Sequence, residues 1–206
     1  MTDGTGSTGR AFRTTVLIVA GLNLAYFAVE FGVALAIGSV SLLADSADFL
    51  EDASINLLIL LGLTWSARAR ARLGMVLAMI LLAPALAFLW ALWSKLAAPV
   101  PPDAVLLTLT GAGALLVNLT CALLLAPFRA TGGSLAKAAF LSARNDVAAN
   151  AGIIAAGVVT AALWPSVWPD IIVGLAIAAL NIDAAREVWE AAQGEHAGAS
   201  GQGPAA

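Results

Sequence analysis

The sequence predicts an all-α polytopic membrane protein, a bundle of six transmembrane helices with both termini in the cytoplasm. Three observations carry that expectation. Of 206 residues, 61% are hydrophobic and 11% are charged, against about 25% charged in a soluble domain. The apolar residues fall in blocks near the length of about 20 that spans a bilayer core. The basic residues cluster in alternate connections between blocks, as the positive-inside rule requires.

The elements follow in order. Residues 1–13, rich in Gly, Ser and Thr, have little to bury and are expected to be a disordered tail. Six apolar blocks then occupy roughly 14–37, 40–65, 73–94, 103–127, 136–163 and 168–190. Helix is expected in each, because a short lipid-exposed strand leaves its backbone unsatisfied. The first block follows Arg10 and Arg13, but it is too long for a signal peptide and carries Asn23 and Glu30. Pro84 should kink the third span. Trp164–Pro165 and Trp168–Pro169 mark a tight turn with interfacial tryptophans. Residues 191–206 are expected to form a second disordered tail, so the membrane unit is residues 14–190.

Orientation comes from arginine and lysine. Arg68, Arg70 and Arg72 lie in the second connection, and Arg129 and Lys137 in the fourth. Arg10, Arg13 and Arg186 flank the ends, while the odd-numbered connections offer only Lys95. Both termini and the even connections are therefore cytoplasmic. Cys121 is the only cysteine, which excludes an intrachain disulfide or a multi-thiolate metal site. Cys121 reads as a small core residue, and His196, the only histidine, as a solvated tail residue. No nucleic-acid partner is expected.

The stretch LLADSADFLED, residues 42–52, sets Asp45, Asp48, Glu51 and Asp52 inside an apolar block. At about 100° per residue, Asp45, Asp48 and Asp52 fall within roughly 60° of one another, and Glu51 falls outside. In the fifth block Ser142, Asp146 and Asn150 recur at four-residue steps, as do Asp48, Asp52 and Asn56 in the second. Depth agrees. Asp52 lies about 16 Å below Ser41 and Asp146 about 14 Å above Lys137, both near the middle of a core about 30 Å thick. Asn23 reaches a similar depth, and Glu30 and Asp45 lie nearer the outer mouth.

An unpaired charge at mid-bilayer costs about 2.5–3.5 kcal/mol on insertion scales. Protons or a bound cation relieve that cost, and converging carboxylates with Ser, Asn and water suit a divalent cation. Alternating the two is the logic of a proton-coupled antiporter. For any single aspartate, hydrogen bonding across helices competes with this role. Arg144 lies off the Asp146 face and is expected to snorkel or pair with an acid. Asp170 is open between a helix-start and a transport role, and Asp183 is expected at the inner interface.

NLAYFAVEFGVALAIGSVSLLADSADFLEDA resembles the first two spans of the cation diffusion facilitator family. AAFLSARNDVAANAGII resembles the family's fifth span and WPDIIVGLAIA its sixth. The resemblance covers about residues 14–190 and implies a secondary transporter that exports a divalent cation. It places Asp48 and Asp52 in one ligand pair and Asp146 in the second member of another, with Asp45 in the preceding Asp slot. Ser142 stands where a His or Asp is expected, and Asn145 or Asn150 is a candidate for the vacancy. The implied set is Asp48, Asp52, Asp146, Ser142 and Asn150. Asp45, Asn23, Glu30, Asn56 and Asn145 are pathway or supporting candidates.

Oxygen-only ligation leaves manganese, cobalt, iron or magnesium open beside zinc. No permanently bound cofactor is expected; the cation is cargo. Expected partners are the dication, protons and the lipid of a bacterial inner membrane. The family's cytoplasmic metal-binding domain is expected to be missing, so a homodimer would form through the spans, with TGAGA (residues 110–114) and the third span as candidate surfaces. The competing expectations are a degenerate scaffold or assembly subunit, and an intramembrane aspartyl protease using Asp52 and Asp146. The protease lacks its Gly-x-Gly-Asp signature.

Overall fold

The computed structural model describes residues 4–62, 86–128 and 133–180. The described residues form six α-helices and no strand. These are α1 (Gly4–Ile37), α2 (Val40–Gly62), α3 (Leu86–Ala97), α4 (Ala104–Leu125), α5 (Gly133–Ala162) and α6 (Trp168–Leu180). Arg10–Ile37, Ala104–Phe128 and Ser142–Ala162 are long and apolar enough to cross a membrane. The 23 residues of α2 reach about 35 Å, but its carboxylates set it apart from a purely apolar span. α3 and α6 are shorter apolar helices. The chain is thus an all-α, polytopic membrane protein.

Several expectations fall outside the described residues: Arg68, Arg70, Arg72, Pro84, Arg129, Asp183, Arg186 and the tail with His196. One is corrected. Residues 4–13 are the first turns of α1 rather than part of a disordered tail. Extending a nucleated helix costs far less than starting one, and Phe12 packs on Phe128 with the rings tilted and their centroids 5.3 Å apart.

α1 packs on α2 and α4, and α5 packs on α4 and α2, so these four helices close a ring. One core cluster joins Ala34, Leu42, Leu43, Leu107, Ile153 and Ile177 across α1, α2, α4, α5 and α6. A second surrounds Cys121 with Val19, Leu125 and Ala143. α3 and α6 meet the start of α2 through Phe88, Val40, Val167 and Ile171. α4 opens on Asp103, whose carboxylate accepts from Val105 N and Leu106 N at 2.9 Å; this satisfies amides that a helix start leaves orphaned.

The turn from α1 to α2 needs a left-handed residue, and Gly38 supplies it at φ 62°. Ser39 then caps α2, its Oγ accepting from Leu42 N at 3.1 Å. At the far end of α5, Trp164 and Trp168 flank the expected turn and are exposed, 48% and 47%. The small residues of TGAGA serve close packing within the chain. A Cβ at Gly111 would meet Ile153 of α5, and one at Gly113 would collide with the Tyr26 hydroxyl of α1.

Candidate cation site

α2 buries its acidic stripe. Asp45 and Asp52 are buried, Asp48 is half-buried, and Glu51 faces outward. α5 turns Asp146 and Asn150 inward and leaves Ser142 half-buried. The two stripes meet: Ser142 Oγ donates to Asp52 Oδ1 at 2.9 Å. The helices run antiparallel here, so each turn toward the outside on α5 matches a turn toward the start of α2. One turn along α5 from Ser142, Asp146 lies close enough to Asp48, Asp52 and Asp45 for their charges to interact. Ser142 retains oxygen lone pairs while donating to Asp52, so the same hydroxyl can also face a cation.

The acids of the two helices do not close on a centre. Among the described residues, no three His, Cys, Asp or Glu side chains are drawn together tightly enough to hold a metal ion. The arrangement supplies hard oxygen donors from two helices that must approach further to complete a shell.

Both asparagines of the repeated pattern do the same thing. Asn56 Nδ2 donates to the Asp52 carbonyl and Asn150 Nδ2 to the Asp146 carbonyl, each at 2.8 Å. Each leaves its Oδ1 buried and unpartnered. Asn150 lies one turn beyond Asp146 on α5. Asn145 is placed differently. It is exposed and accepts from Arg144 at 3.4 Å, off the stripe; the single-residue offset from Asp146 carries it about 100° around the helix.

On α1, Asn23 is fully buried and accepts from Cys121 Sγ at 3.8 Å, while its Nδ2 has no partner. One turn outward, the Tyr26 hydroxyl donates to the Thr110 carbonyl at 2.6 Å and its ring packs on Phe49, 5.1 Å between centroids. Glu30 follows, fully buried and facing Asp45.

Asp170 lies in the first turn of α6, and its carboxylate is engaged by the start of α2 and by α3 rather than by its own helix. Its Oδ1 accepts from Ser39 Oγ at 2.7 Å, Ser41 Oγ at 2.6 Å and Ser41 N at 3.1 Å. Its Oδ2 accepts from Val40 N at 2.8 Å and Lys95 Nζ at 2.9 Å. The carboxylate therefore caps α2 from α6 and neutralises the buried end of α3. Gly174 allows this approach, since a Cβ there would sit 2.9 Å from Ser41 N. The sequence held the signal: Lys95 is a lone cation in an apolar outer connection and GSVS offers two hydroxyls, but no spacing rule links them to residue 170.

The sequence from 16 to 193 matches the family model described as the cation efflux transmembrane domain. The chain belongs to the cation efflux family. The family is one of transporters, so this cation efflux domain is a multi-pass membrane transporter of cations. Comparison with curated proteins gives no significant match. The family match runs through every helix that carries the two stripes.

Proposed function

We propose that the protein exports a divalent metal cation from the cytoplasm across a bacterial inner membrane in exchange for protons. Zinc, manganese and cobalt are the cargo class. Asp48, Asp52 and Asp146 supply the carboxylates, and Ser142 supplies a hydroxyl. The observation that carries the reading is the Ser142–Asp52 bond, which brings the stripe of α5 to the stripe of α2 at one depth.

Carboxylates suit both partners of an exchange, since each oxygen that releases a dication accepts a proton. Protons neutralise the empty site, and in the loaded one a dication balances two carboxylate charges while the third carboxyl keeps a proton, so neither state leaves the stripe bare in a low-dielectric core. Alternating access then needs α2 and α5 to shift relative to each other around a mid-membrane site. An all-oxygen shell favours manganese or cobalt over a dedicated zinc preference.

The test is transport of a panel of divalent ions by the full chain in proteoliposomes with an imposed pH gradient. Dication flux that follows the reversed proton gradient supports the exchange. Flux indifferent to the gradient removes the proton coupling, and no flux of any dication removes the transport reading.

A further inference from the structure

We propose that Tyr26 is a positioning residue for the cation site: anchored to α4 by its hydroxyl and pressed on Phe49 by its ring, it sets how α2 presents Asp48 and Asp52 to α5. The proposal rests on the reading of the chain as a dication transporter. It names the side chain that links the two acidic helices the other way round the four-helix ring, through α1 and α4.

Tyr26 lies on α1, half-buried, and touches two other helices. Its hydroxyl donates to the Thr110 carbonyl of α4 at 2.6 Å. Glycine at 113 makes room for that bond. A Cβ there would collide with the hydroxyl and would stand 3.1 Å from the ring carbon that bears it. On α2 the ring meets buried Phe49, with centroids 5.1 Å apart and planes tilted by 47°. Aromatic pairs favour such a tilt over a face-to-face stack.

Phe49 flanks the acidic stripe. At about 100° per residue it falls about 40° from Asp45 and about 60° from Asp52. A roll of α2 that parts the two rings therefore also turns the acids. In an interior packed like a crystal, a large ring has few other places to go. The hydroxyl bond at the far end of Tyr26 holds that ring against Phe49.

The anchor also leads to α5. Thr110 precedes Gly111, where a Cβ would stand 2.9 Å from Ile153 Cγ2, and Ile153 is fully buried. Ile153 follows Asp146 by two turns of α5, about 20° round the helix. The stretch of α4 that receives the Tyr26 hydroxyl is thus the stretch on which the Asp146 face of α5 rests. Contact by contact, Phe49, Tyr26, Thr110–Gly111 and Ile153 join one acidic helix to the other. Spatial continuity alone does not make a coupling, and a double-mutant cycle measures one.

The experiment measures Mn2+ affinity of the purified full chain by equilibrium dialysis, with thermal unfolding recorded on the same samples. Tyr26→Phe keeps the ring and removes the anchor, and Kd should rise about 2- to 10-fold, the worth of one hydrogen bond. Phe49→Leu removes the ring contact and should raise Kd in the same direction. The double variant should bind no more weakly than the weaker-binding single variant, because the hydroxyl acts through the ring contact. A role in stability alone would lower the melting temperature of Tyr26→Phe and leave the Kd of the folded protein unchanged, and that result overturns the proposal. Losses that multiply in the double variant overturn it too. Wild-type binding with unaltered Kd in both single variants overturns this proposal and leaves the transporter reading standing. A wild type that binds no Mn2+, Zn2+ or Co2+ overturns both.

Discussion

Ser142 Oγ stands 2.9 Å from Asp52 Oδ1, and this bond ties the middle of α5 to the middle of α2. A hydrogen bond to a charged group contributes about 1.5–3 kcal/mol. Ser142→Ala should therefore weaken dication binding by roughly tenfold or more, because Asp52 loses the partner that orients it. Ser142→His should move the preference toward zinc, since imidazole suits that metal better than a hydroxyl does. Competition binding among Mn2+, Co2+ and Zn2+ measures both, and an unchanged selectivity profile for the histidine variant would place Ser142 outside the shell.

Asp52→Asn or Asp146→Asn should each abolish dication uptake into inside-out vesicles. The amide keeps the size and removes the charge, so the comparison isolates the anionic oxygen. Uptake that persists in both single variants would mean that the ion travels another way.

Dication affinity should fall as pH falls. The donors assigned to the central site are three carboxyls and a hydroxyl, and each proton that binds a carboxyl removes a ligand oxygen. Titrating Mn2+ binding from about pH 8 to about pH 5.5 should show a steady rise in Kd. A flat profile would separate metal binding from proton binding and leave the exchange without a carrier.

Lys95→Met and Asp170→Asn should destabilise the protein unequally. Removing the lysine leaves Asp170 with donors from Ser39, Val40 and Ser41, a loss of about 1–3 kcal/mol. Removing the charge of Asp170 strands a buried ammonium and faces amide hydrogens with other donors, a loss of about 3–5 kcal/mol. Thermal unfolding in detergent ranks the two, and the opposite order would contradict the assignment of Asp170 as the centre of the cluster.

Gly174→Ala should cost about 1–3 kcal/mol, because its Cβ would press on the backbone of Val40 and Ser41 at 2.9 Å. Gly32→Ala is the matched control. Nothing lies within 4 Å of its Cβ, and alanine is the better helix former by about 1 kcal/mol. Equal melting shifts for the two would show that α6 and α2 do not approach as described.

Much of the molecule was legible in the sequence because a bilayer imposes simple rules. Span length, the Trp–Pro turn and the separation of Glu51 from Asp48 and Asp52 follow from helical period and hydrophobicity alone. Depth along the helices matched Asp52 to Asp146, and the contact observed is with Ser142, one turn away on the same stripe of α5. Three features were not legible. Residues 4–13 resemble a disordered tail in composition, yet they prolong α1, because elongation depends on the helix already present. Asn145 sits beside a site residue in sequence and about 100° away in space. Asp170 binds the start of a helix some 130 residues earlier in the chain, and capping patterns are local in sequence whereas this cap is not.

The Asp170 cap also turns α2 into a lever. With its outer end pinned to α3 and α6, the helix has a fulcrum at Val40, and Asp52 rides about 18 Å down the arm. A swing of about 10° there carries the carboxylate about 3 Å. Small angular play at a pinned end thus suffices to make or break a grip on an ion, with no unwinding of the helix.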